Sequence, residues 1–379
     1  MLNLVADENM PAVEALFGDF AKITRLPGRQ MCAGDLQQAD ILLVRSITEV
    51  NSQLLSQAQQ LKFVGTATIG IDHLDTRELE RRNISYTNAP GCNADAVVDY
   101  TLSGIYKDAQ VRGHQIGDLQ IAVVGCGQVG SRLLSRLRAL GHDPLCCDPL
   151  RAEEPGFFHT PIDEVVRQAD IICLHTPLTK EGADASRHLL NEDRLRALKQ
   201  GALLLNAGRG AVIDNSALLQ VASERPDLVL ILDVWEHEPS VDLELAQRCF
   251  IATPHIAGHS IDGKLRGTWM LYQQVCQRFE IEQKIALDDI LPAPRILGVT
   301  LAPEAEPHRL LQLVYDQWAD DRRFRASLVA DAMQQRANFD QLRKNYPYRR
   351  EFAALHINVA STAQQRELSA MSFKAELQT

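Results

Sequence analysis

The sequence lacks an excess of positive charge, a long apolar run and a secretory leader. Lys and Arg number 39 against 49 Asp and Glu, and the formal net charge is −10, which argues against nucleic acid or an anionic membrane as partner. No uninterrupted apolar run approaches the roughly 18 residues that a membrane-spanning helix needs. The opening MLNLVADENM has neither the basic nor the apolar region of a signal peptide. We therefore expect a cytoplasmic protein without a membrane partner.

The eight cysteines also lack the spacings that hold metals or redox centres, because they form no CxxC pair and no Cys/His ligand pattern. Cys146, Cys147 and Cys173 lie in apolar runs typical of strands, where a thiol behaves as a small buried hydrophobe. We expect reduced structural thiols, as in cytosolic proteins, and no metal site.

Short apolar runs, separated by polar helical stretches, recur along most of the 379 residues. They occupy 2–6, 41–45, 62–66 and 84–88, and then 121–125, 144–148, 170–175, 202–207, 228–233 and 249–252. This alternation predicts two parallel sheets covered by helices. The stretches 94–112 and 262–283 predict helices that cross between two lobes. Prolines in 286–298 mark a further boundary, and 299–379 predicts a compact α+β module of strand, helix, helix, strand (354–361) and helix.

The segment GCGQVG, which contains Gly125, Gly127 and Gly130, directly follows one apolar run and opens an amphipathic stretch that ends at Gly141. A bare GxGxxG is weak, but between a strand and a helix it is typical of dinucleotide binding. The glycines allow a tight turn, close approach to the pyrophosphate, and close packing of helix on strand. Asp148 follows the next strand, where a carboxylate accepts both ribose hydroxyls and repels a 2′-phosphate. The pattern predicts NAD rather than NADP.

Three polar residues follow later strands of the second sheet: Arg209, Glu238 and His255. Open α/β sheets bind ligands at these strand ends. An Arg can hold a carboxylate and polarise a C2 oxygen, a His can move the C2 hydroxyl proton, and a Glu can orient the imidazole. Each residue alone also has an ordinary structural explanation, as a loop, turn or buried polar residue.

Three blocks, NAGRGAVID (206–214), LDVWEHEP (232–239) and TPHIAG (253–258), closely resemble the signature blocks of the D-2-hydroxyacid dehydrogenase family. The resemblance covers roughly the first 290 residues and implies that Arg209, Glu238 and His255 form the catalytic triad. It implies a Rossmann-type doubly wound NAD domain (94–258), inserted in a flavodoxin-like α/β substrate-binding lobe (1–93 and 259–285). Further implied coenzyme contacts are Gln128, Val129, Thr176, Ala207, Gly208, Arg209, Asp233 and Gly258.

The blocks VADENMP (5–11), FVGTATIGIDHLD (63–75) and FDQLRKNYPYRREF (339–352) resemble one branch of that family. Its members act on a phosphorylated 2-hydroxy acid in vitamin B6 (pyridoxine) biosynthesis. This resemblance implies a homodimer formed through an added C-terminal dimerisation domain (286–379). It also implies substrate contacts at Ser46, Thr68 and position 259, where His259 replaces the family's tyrosine.

Two alternatives stay open. Another member of the family, such as one that oxidises 3-phosphoglycerate, would use the same triad on a substrate one carbon shorter. The opening and tail blocks favour the vitamin B6 branch instead. A non-catalytic NAD-sensing protein would have the same fold but would gain support only from a missing triad residue, and all three are present.

Overall fold

A computed structural model describes residues 1–378, which form two compact units. The first unit contains Met1–Asn93 and Ser260–Ala293, and the second contains Ala94–His259 with the residues from Pro294 onward.

The strands are β1 Leu2–Asp7, β2 Ala21–Leu26, β3 Ile41–Val44, β4 Phe63–Thr66, β5 Ser85–Thr87, β6 Ile121–Val124, β7 Leu145–Cys147, β8 Ile171–Leu174, β9 Leu203–Asn206, β10 Val229–Leu232, β11 Ile251–Ala252, β12 Val299–Thr300, β13 His356–Val359 and β14 Lys374–Leu377.

The α-helices are α1 Val13–Phe17, α2 Thr76–Arg81, α3 Ala94–Arg112, α4 Gln128–Ala139, α5 Ile162–Gln168, α6 Glu192–Arg196, α7 Asn215–Glu224, α8 Leu243–Arg248, α9 Ile261–Arg278, α10 Leu287–Ile290, α11 Leu311–Val314, α12 Gln317–Ser327, α13 Ala332–Lys344 and α14 Thr362–Ala370.

The first unit contains a parallel sheet in the order β2-β1-β3-β4-β5, the flavodoxin-like arrangement. Both faces of this sheet are buried under hydrophobic cores. Successive residues of a strand point to opposite faces. Leu4 and Ile41 belong to the core on one face, and Val5 and Leu42 to the core on the other.

The second unit contains a parallel sheet in the order β11-β10-β9-β8-β6-β7. The chain moves outward from β6 to β7 and then returns to place β8 on the other side of β6. Strand order reverses at this point, and doubly wound sheets bind their ligands at such a reversal. The predicted α/β class, with a Rossmann-type coenzyme domain, is confirmed.

Residues 294–378, here called the C-terminal module, contain a small parallel sheet in the order β12-β13-β14. Strands β2 and β14 do not stand out as apolar runs in the sequence. Only one of the six residues of β2 is buried, and three of the four residues of β14 are exposed. Leu301 and Phe352 of the module share one hydrophobic core with Val98 of α3 and Leu133 of α4. The division of the chain into three domains stays a prediction.

Helices are present at both stretches, 94–112 and 262–283, for which the sequence predicts them. Helix α3 has the predicted bounds, whereas α9 ends at Arg278, before the predicted end. Seven of the eight cysteines are buried and all are free thiols. Among the described residues no helix is both long and apolar enough to cross a membrane.

Candidate active site

The glycine-rich turn lies at the carboxyl end of β6. Gly125 has a φ of +84°, and a Cβ there would lie 2.7 Å from the backbone nitrogen of Thr176. A Cβ on Gly130 would lie 2.0 Å from the carbonyl oxygen of Gly125. Left-handed backbone and backbone-to-backbone packing therefore require glycine at these two positions.

Gly127, the middle glycine of the motif, faces open space. A Cβ on Gly127 would meet nothing within 4 Å, and Gly127 caps α4 without a side-chain hydrogen bond to the helix. The first N–H groups of α4 are thus available to an anion, which the helix dipole also favours. The buried hydroxyl of Thr176 has no hydrogen-bond partner among residues 1–378. A turn with free amides, open space and an unpaired hydroxyl fits the pyrophosphate of a dinucleotide.

Asp148 follows β7, next to the turn. Its Oδ2 accepts a hydrogen bond of 2.8 Å from the backbone N–H of Cys126, and Arg151 donates to the Cys126 carbonyl at 2.7 Å. The carboxylate is therefore held at the turn and remains partly exposed. This is the position from which it can reach the adenosine ribose.

The other predicted coenzyme contacts lie at the same edge of the sheet. Gln128 and Val129 begin α4, Ala207 and Gly208 follow β9, and Gly258 ends the β11 loop, here defined as residues 253–258.

His255 and Glu238 form a close pair. Imidazole Nδ1 lies 2.7 Å from Glu238 Oε2, and because a carboxylate only accepts, Nδ1 carries the proton and Nε2 is the atom left for acid–base chemistry. Burial alone would raise the pKa of Glu238, but its interactions with His255 and a further contribution from Arg343 hold the pKa below its usual value. Glu238 is therefore a carboxylate at neutral pH.

Asp233 organises the backbone beside that pair. Its buried carboxylate accepts hydrogen bonds from the Thr253 hydroxyl at 2.7 Å and from the N–H groups of Ile256 at 2.8 Å and Ala257 at 2.9 Å. Burial raises the pKa of Asp233, and these donors oppose the rise. The Asp233 carboxylate thus holds the backbone of the β11 loop in place through hydrogen bonds. A contact between Asp233 and the coenzyme stays a prediction.

Arg209 follows β9, and Asn206, which the sequence analysis missed, shapes the turn before it. The Asn206 side chain donates to the Arg209 carbonyl and accepts from the Gly208 N–H, each at 3.0 Å. A Cβ on Gly210 would lie 1.9 Å from the carbonyl carbon of Trp235. Since β9, β10 and β11 are neighbours, Arg209, Glu238 and His255 all follow adjacent strands of one sheet.

The first unit holds Ser46 and Thr68, which follow β3 and β4, adjacent strands of its sheet. The sequence analysis missed two cations here, Arg45 and Lys264. Burial lowers the pKa of the Lys264 ammonium, and the positive charge of Arg45 lowers it further. A close pair of cations is unfavourable unless an anion joins it. His259, the third predicted substrate contact, belongs to the second unit and packs edge-on against Tyr346, with ring centres 5.3 Å apart.

One cluster within residues 1–378 bears on the expectation that no metal binds. Ligand atoms of His188, Asp214 and Glu236 lie within 4.8 Å of one another. However, His188 Nε2 already pairs with Glu236 at 2.6 Å, and Asp214 accepts from the N–H of Ala217 to cap α7. The internal hydrogen bonds account for these groups.

Comparison with known proteins agrees with this geometry. Residues 93–257 match the family described as "D-isomer specific 2-hydroxyacid dehydrogenase, NAD binding domain", and residues 290–371 match a "Domain of unknown function (DUF3410)". An NAD⁺-bound 3-phosphoglycerate dehydrogenase of Entamoeba histolytica has a TM-score of 0.62 at 22% identity, over 75% of this chain and 98% of that one. A D-lactate dehydrogenase of Aquifex aeolicus, complexed with NAD and lactic acid, has a TM-score of 0.57 at 25% identity, over 73% and 95%. Fold and motifs thus define an NAD-dependent oxidoreductase.

Curated relatives are similar along nearly the whole chain. An erythronate-4-phosphate dehydrogenase of Pseudomonas fluorescens is 46% identical over 360 residues, 94% of this chain and 94% of its own. The Pseudomonas aeruginosa relative of that name is 46% identical over 96% of this chain and 97% of its own. The chain therefore belongs to the D-isomer specific 2-hydroxyacid dehydrogenase family, within the group of its erythronate-4-phosphate dehydrogenases. Its coenzyme is NAD.

Proposed function

We propose that this protein uses NAD to oxidise 4-phospho-D-erythronate at C2, forming 2-oxo-3-hydroxy-4-phosphobutanoate in the biosynthesis of pyridoxal 5′-phosphate. The observation that carries the proposal is the His255–Glu238 pair at 2.7 Å, in a chain 46% identical to relatives named for this activity. The fold alone would serve many 2-hydroxy acids. The choice of substrate rests on the full-length relatives.

In the proposed reaction, Arg209 holds the substrate carboxylate through its planar fork of donors. His255 Nε2 accepts the proton of the C2 hydroxyl, and Glu238 stabilises the resulting imidazolium through Nδ1. NAD, bound at the glycine-rich turn, supplies the acceptor for the hydride that leaves C2. Closely packed glycines and the buried Thr176 hydroxyl position the coenzyme for this transfer.

The substrate phosphate needs cations besides Arg209. We assign it to Arg45 and Lys264, whose mutual repulsion a phosphate would relieve. Ser46 follows β3, as Arg45 does, and its hydroxyl is suited to a remaining phosphate oxygen. Thr68 follows β4, and its hydroxyl, which donates to the Gly70 carbonyl at 2.9 Å, would exchange that bond for one to the substrate. His259, in place of the tyrosine of the family, can donate to an anionic oxygen as well.

We further propose a cytoplasmic homodimer. Buried reduced thiols support the location. The resemblance implies dimerisation through the C-terminal domain, and much of the apolar surface of the C-terminal module packs against α3 and α4 of its own chain. Leu297 and Met333 of the module remain 80% and 82% exposed and are the better candidates for a subunit contact.

The decisive experiment assays the purified full-length chain with NAD against 4-phospho-D-erythronate and 3-phosphoglycerate, with His255→Ala as the control. Higher kcat/KM for the four-carbon substrate supports the proposal, and preference for 3-phosphoglycerate overturns the assignment. Light scattering tests the dimer: a mass of one chain contradicts it. A dimer that dissociates in Met333→Asp places the contact on the module.

A further inference from the structure

His255 stands in a demanding backbone position. Its φ is +56°, a left-handed conformation that a residue other than glycine keeps only when its surroundings hold it there. The His255 N–H donates to the Asp233 carbonyl at 2.7 Å, and the next two N–H groups donate to the Asp233 carboxylate. Asp233 therefore secures the N–H side of the β11 loop.

The carbonyl side of the same loop is secured from the C-terminal module. Arg349 Nη1 donates to the Ala257 carbonyl at 3.1 Å and lies 3.5 Å from the Ile256 carbonyl. Its Nη2 donates to the Ala96 carbonyl in the first turn of α3 at 2.6 Å. Only 4% of Arg349 is exposed, so a buried guanidinium joins the loop to α3.

Aromatic groups hold Arg349 in this place. The guanidinium lies 3.7 Å from the centre of the Tyr315 ring, a close cation–π contact. The hydroxyls of Tyr315 and Tyr346 both donate to Asp320 Oδ2, at 2.9 and 2.7 Å. Tyr346 in turn packs edge-on against His259, one residue beyond the loop. Arg349, Tyr315 and Asp320 are buried and Tyr346 and His259 are half-buried, and their contacts are connected, as expected of a rigid polar network.

A second cation of this segment acts on the partner of His255. The charge of Arg343, at the end of α13, contributes to the low pKa of Glu238. The Arg343 side chain is half buried and also lies near the Phe339 ring. One short segment thus carries both Arg349, which contacts the β11 loop directly, and Arg343, whose charge acts on Glu238.

We infer that residues 343–349, here called the brace segment, position the β11 loop of their own chain through Arg349, and that the charge of Arg343 favours the carboxylate form of Glu238 beside His255. The domain of unknown function that contains this segment is then part of the catalytic machinery, beyond any role in dimerisation. The inference rests on the proposed function in that it takes His255 as the acid–base residue. Arg343 and Arg349 are positioning residues, since neither is placed against the substrate.

The test uses full-length Arg349→Lys and Arg343→Gln, with Arg366→Lys and Arg366→Gln as controls on the exposed face of α14. Lysine keeps the charge of Arg349 but lacks the fork that joins the loop to α3. We expect Arg349→Lys to lower kcat by about 10- to 100-fold while the Kd for NAD changes less than about twofold. The controls should match the wild type.

Arg343→Gln gives an independent readout, which remains usable even when Arg349→Lys does not fold. The charged groups that act on Glu238 are His255 and Arg343. Removing the positive charge of Arg343 favours protonation of the His255–Glu238 pair, so the working form, with a neutral imidazole beside the carboxylate, is lost at a higher pH as pH falls. The acid limb of the kcat/KM profile should move to higher pH, and Arg343→Lys should restore it.

Two results would overturn the inference: wild-type kcat in a folded Arg349→Lys, or an unchanged acid limb in Arg343→Gln, with the wild type active and His255→Ala inactive. If the wild type itself has no activity on 4-phospho-D-erythronate, the proposed function fails instead. Nitrogen NMR of the His255 imidazole then tests the brace separately, since Arg349→Lys should broaden or shift its signals and the Arg366 controls should not.

Discussion

The two larger parallel sheets within residues 1–378 are built on similar principles, and the match to an NAD-binding domain covers the second of them. After β1, the chain continues through Glu8 and Asn9 without glycine, and the Asp7 carboxylate accepts the Asn9 N–H at 2.8 Å. The following helix has five residues. After β6, glycines compress the turn, and a helix of 12 residues begins without a side-chain cap.

The comparison shows that the sheet itself does not select the ligand. Buried parallel strands with helices on both faces occur in both units. What differs is the turn at the carboxyl end of the first strand: the turn after β6 packs two glycines closely, leaves open space at Gly127 and leads into a helix of 12 residues, whereas the turn after β1 leads into a helix of five. Function therefore depends on a few turn residues placed by a general scaffold.

The largest expected effect separates chemistry from binding. His255→Ala should lower kcat by about 10²- to 10⁴-fold, because it removes the imidazole, oriented by Glu238, that is assigned to accept the C2 hydroxyl proton. NAD should still bind, since the glycine-rich turn is untouched. Stopped-flow or steady-state kinetics with parallel NAD titration measures both, and a near-normal kcat would remove His255 from its assigned role.

The next prediction compares glycines within the coenzyme turn. Gly130→Ala should destabilise the fold by about 1–3 kcal/mol or more, because its Cβ would lie 2.0 Å from a backbone oxygen. Gly127→Ala should leave stability unchanged, because the added Cβ meets no protein atom within 4 Å. The same Cβ would occupy space assigned to the pyrophosphate, so the Kd for NAD should rise about tenfold.

Thermal unfolding and NAD titration distinguish these two effects. Gly117→Ala is the matched control, since a Cβ there also meets nothing within 4 Å but lies away from the turn. Equal NAD affinity in the Gly127 and Gly117 variants would contradict the assignment of the pyrophosphate to this turn.

The first unit should contribute to substrate binding rather than to turnover. Arg45→Gln and Lys264→Gln should each raise KM for 4-phospho-D-erythronate about tenfold, the usual size of a hydrogen bond to a charged group, with little change in kcat. Lys62→Gln is the control, because Lys62 lies at the opposite edge of the sheet and pairs with Asp40. If Arg45→Gln and Lys264→Gln raise KM equally for unphosphorylated D-erythronate, Arg45 and Lys264 do not recognise the phosphate.

The smallest expected effect concerns the choice of coenzyme. Asp148→Ser should narrow the preference for NAD over NADP by about tenfold, because the carboxylate no longer meets the 2′-phosphate. Asp143→Ser, before the opposite end of β7, serves as control. An unchanged ratio of kcat/KM values for the two coenzymes would exclude Asp148 as the selecting group.

Local patterns predicted the helix Ala94–Arg112 and every strand of the two main sheets except β2, because strands buried on both faces must be apolar throughout. The sequence also placed Arg209, Glu238 and His255 just after neighbouring strands, and their catalytic roles, which the family resemblance implies, stay a prediction. Strand β14 escaped the analysis because its exposed residues Lys374 and Glu376 interrupt the pattern. Asn206 was missed for another reason: its role depends on hydrogen bonds to the next turn, which no periodicity reveals.

The class of fold, the coenzyme turn and the residues available for chemistry can be read from the sequence, since they depend on local spacing and turn chemistry. The contacts between distant residues follow from the folded structure alone: Asp233 with the N–H groups of the β11 loop, and Arg349 with the carbonyl groups of the same loop. Those encounters join residues separated by tens of positions, and their energies depend on burial and distance, which exist only after the chain has folded.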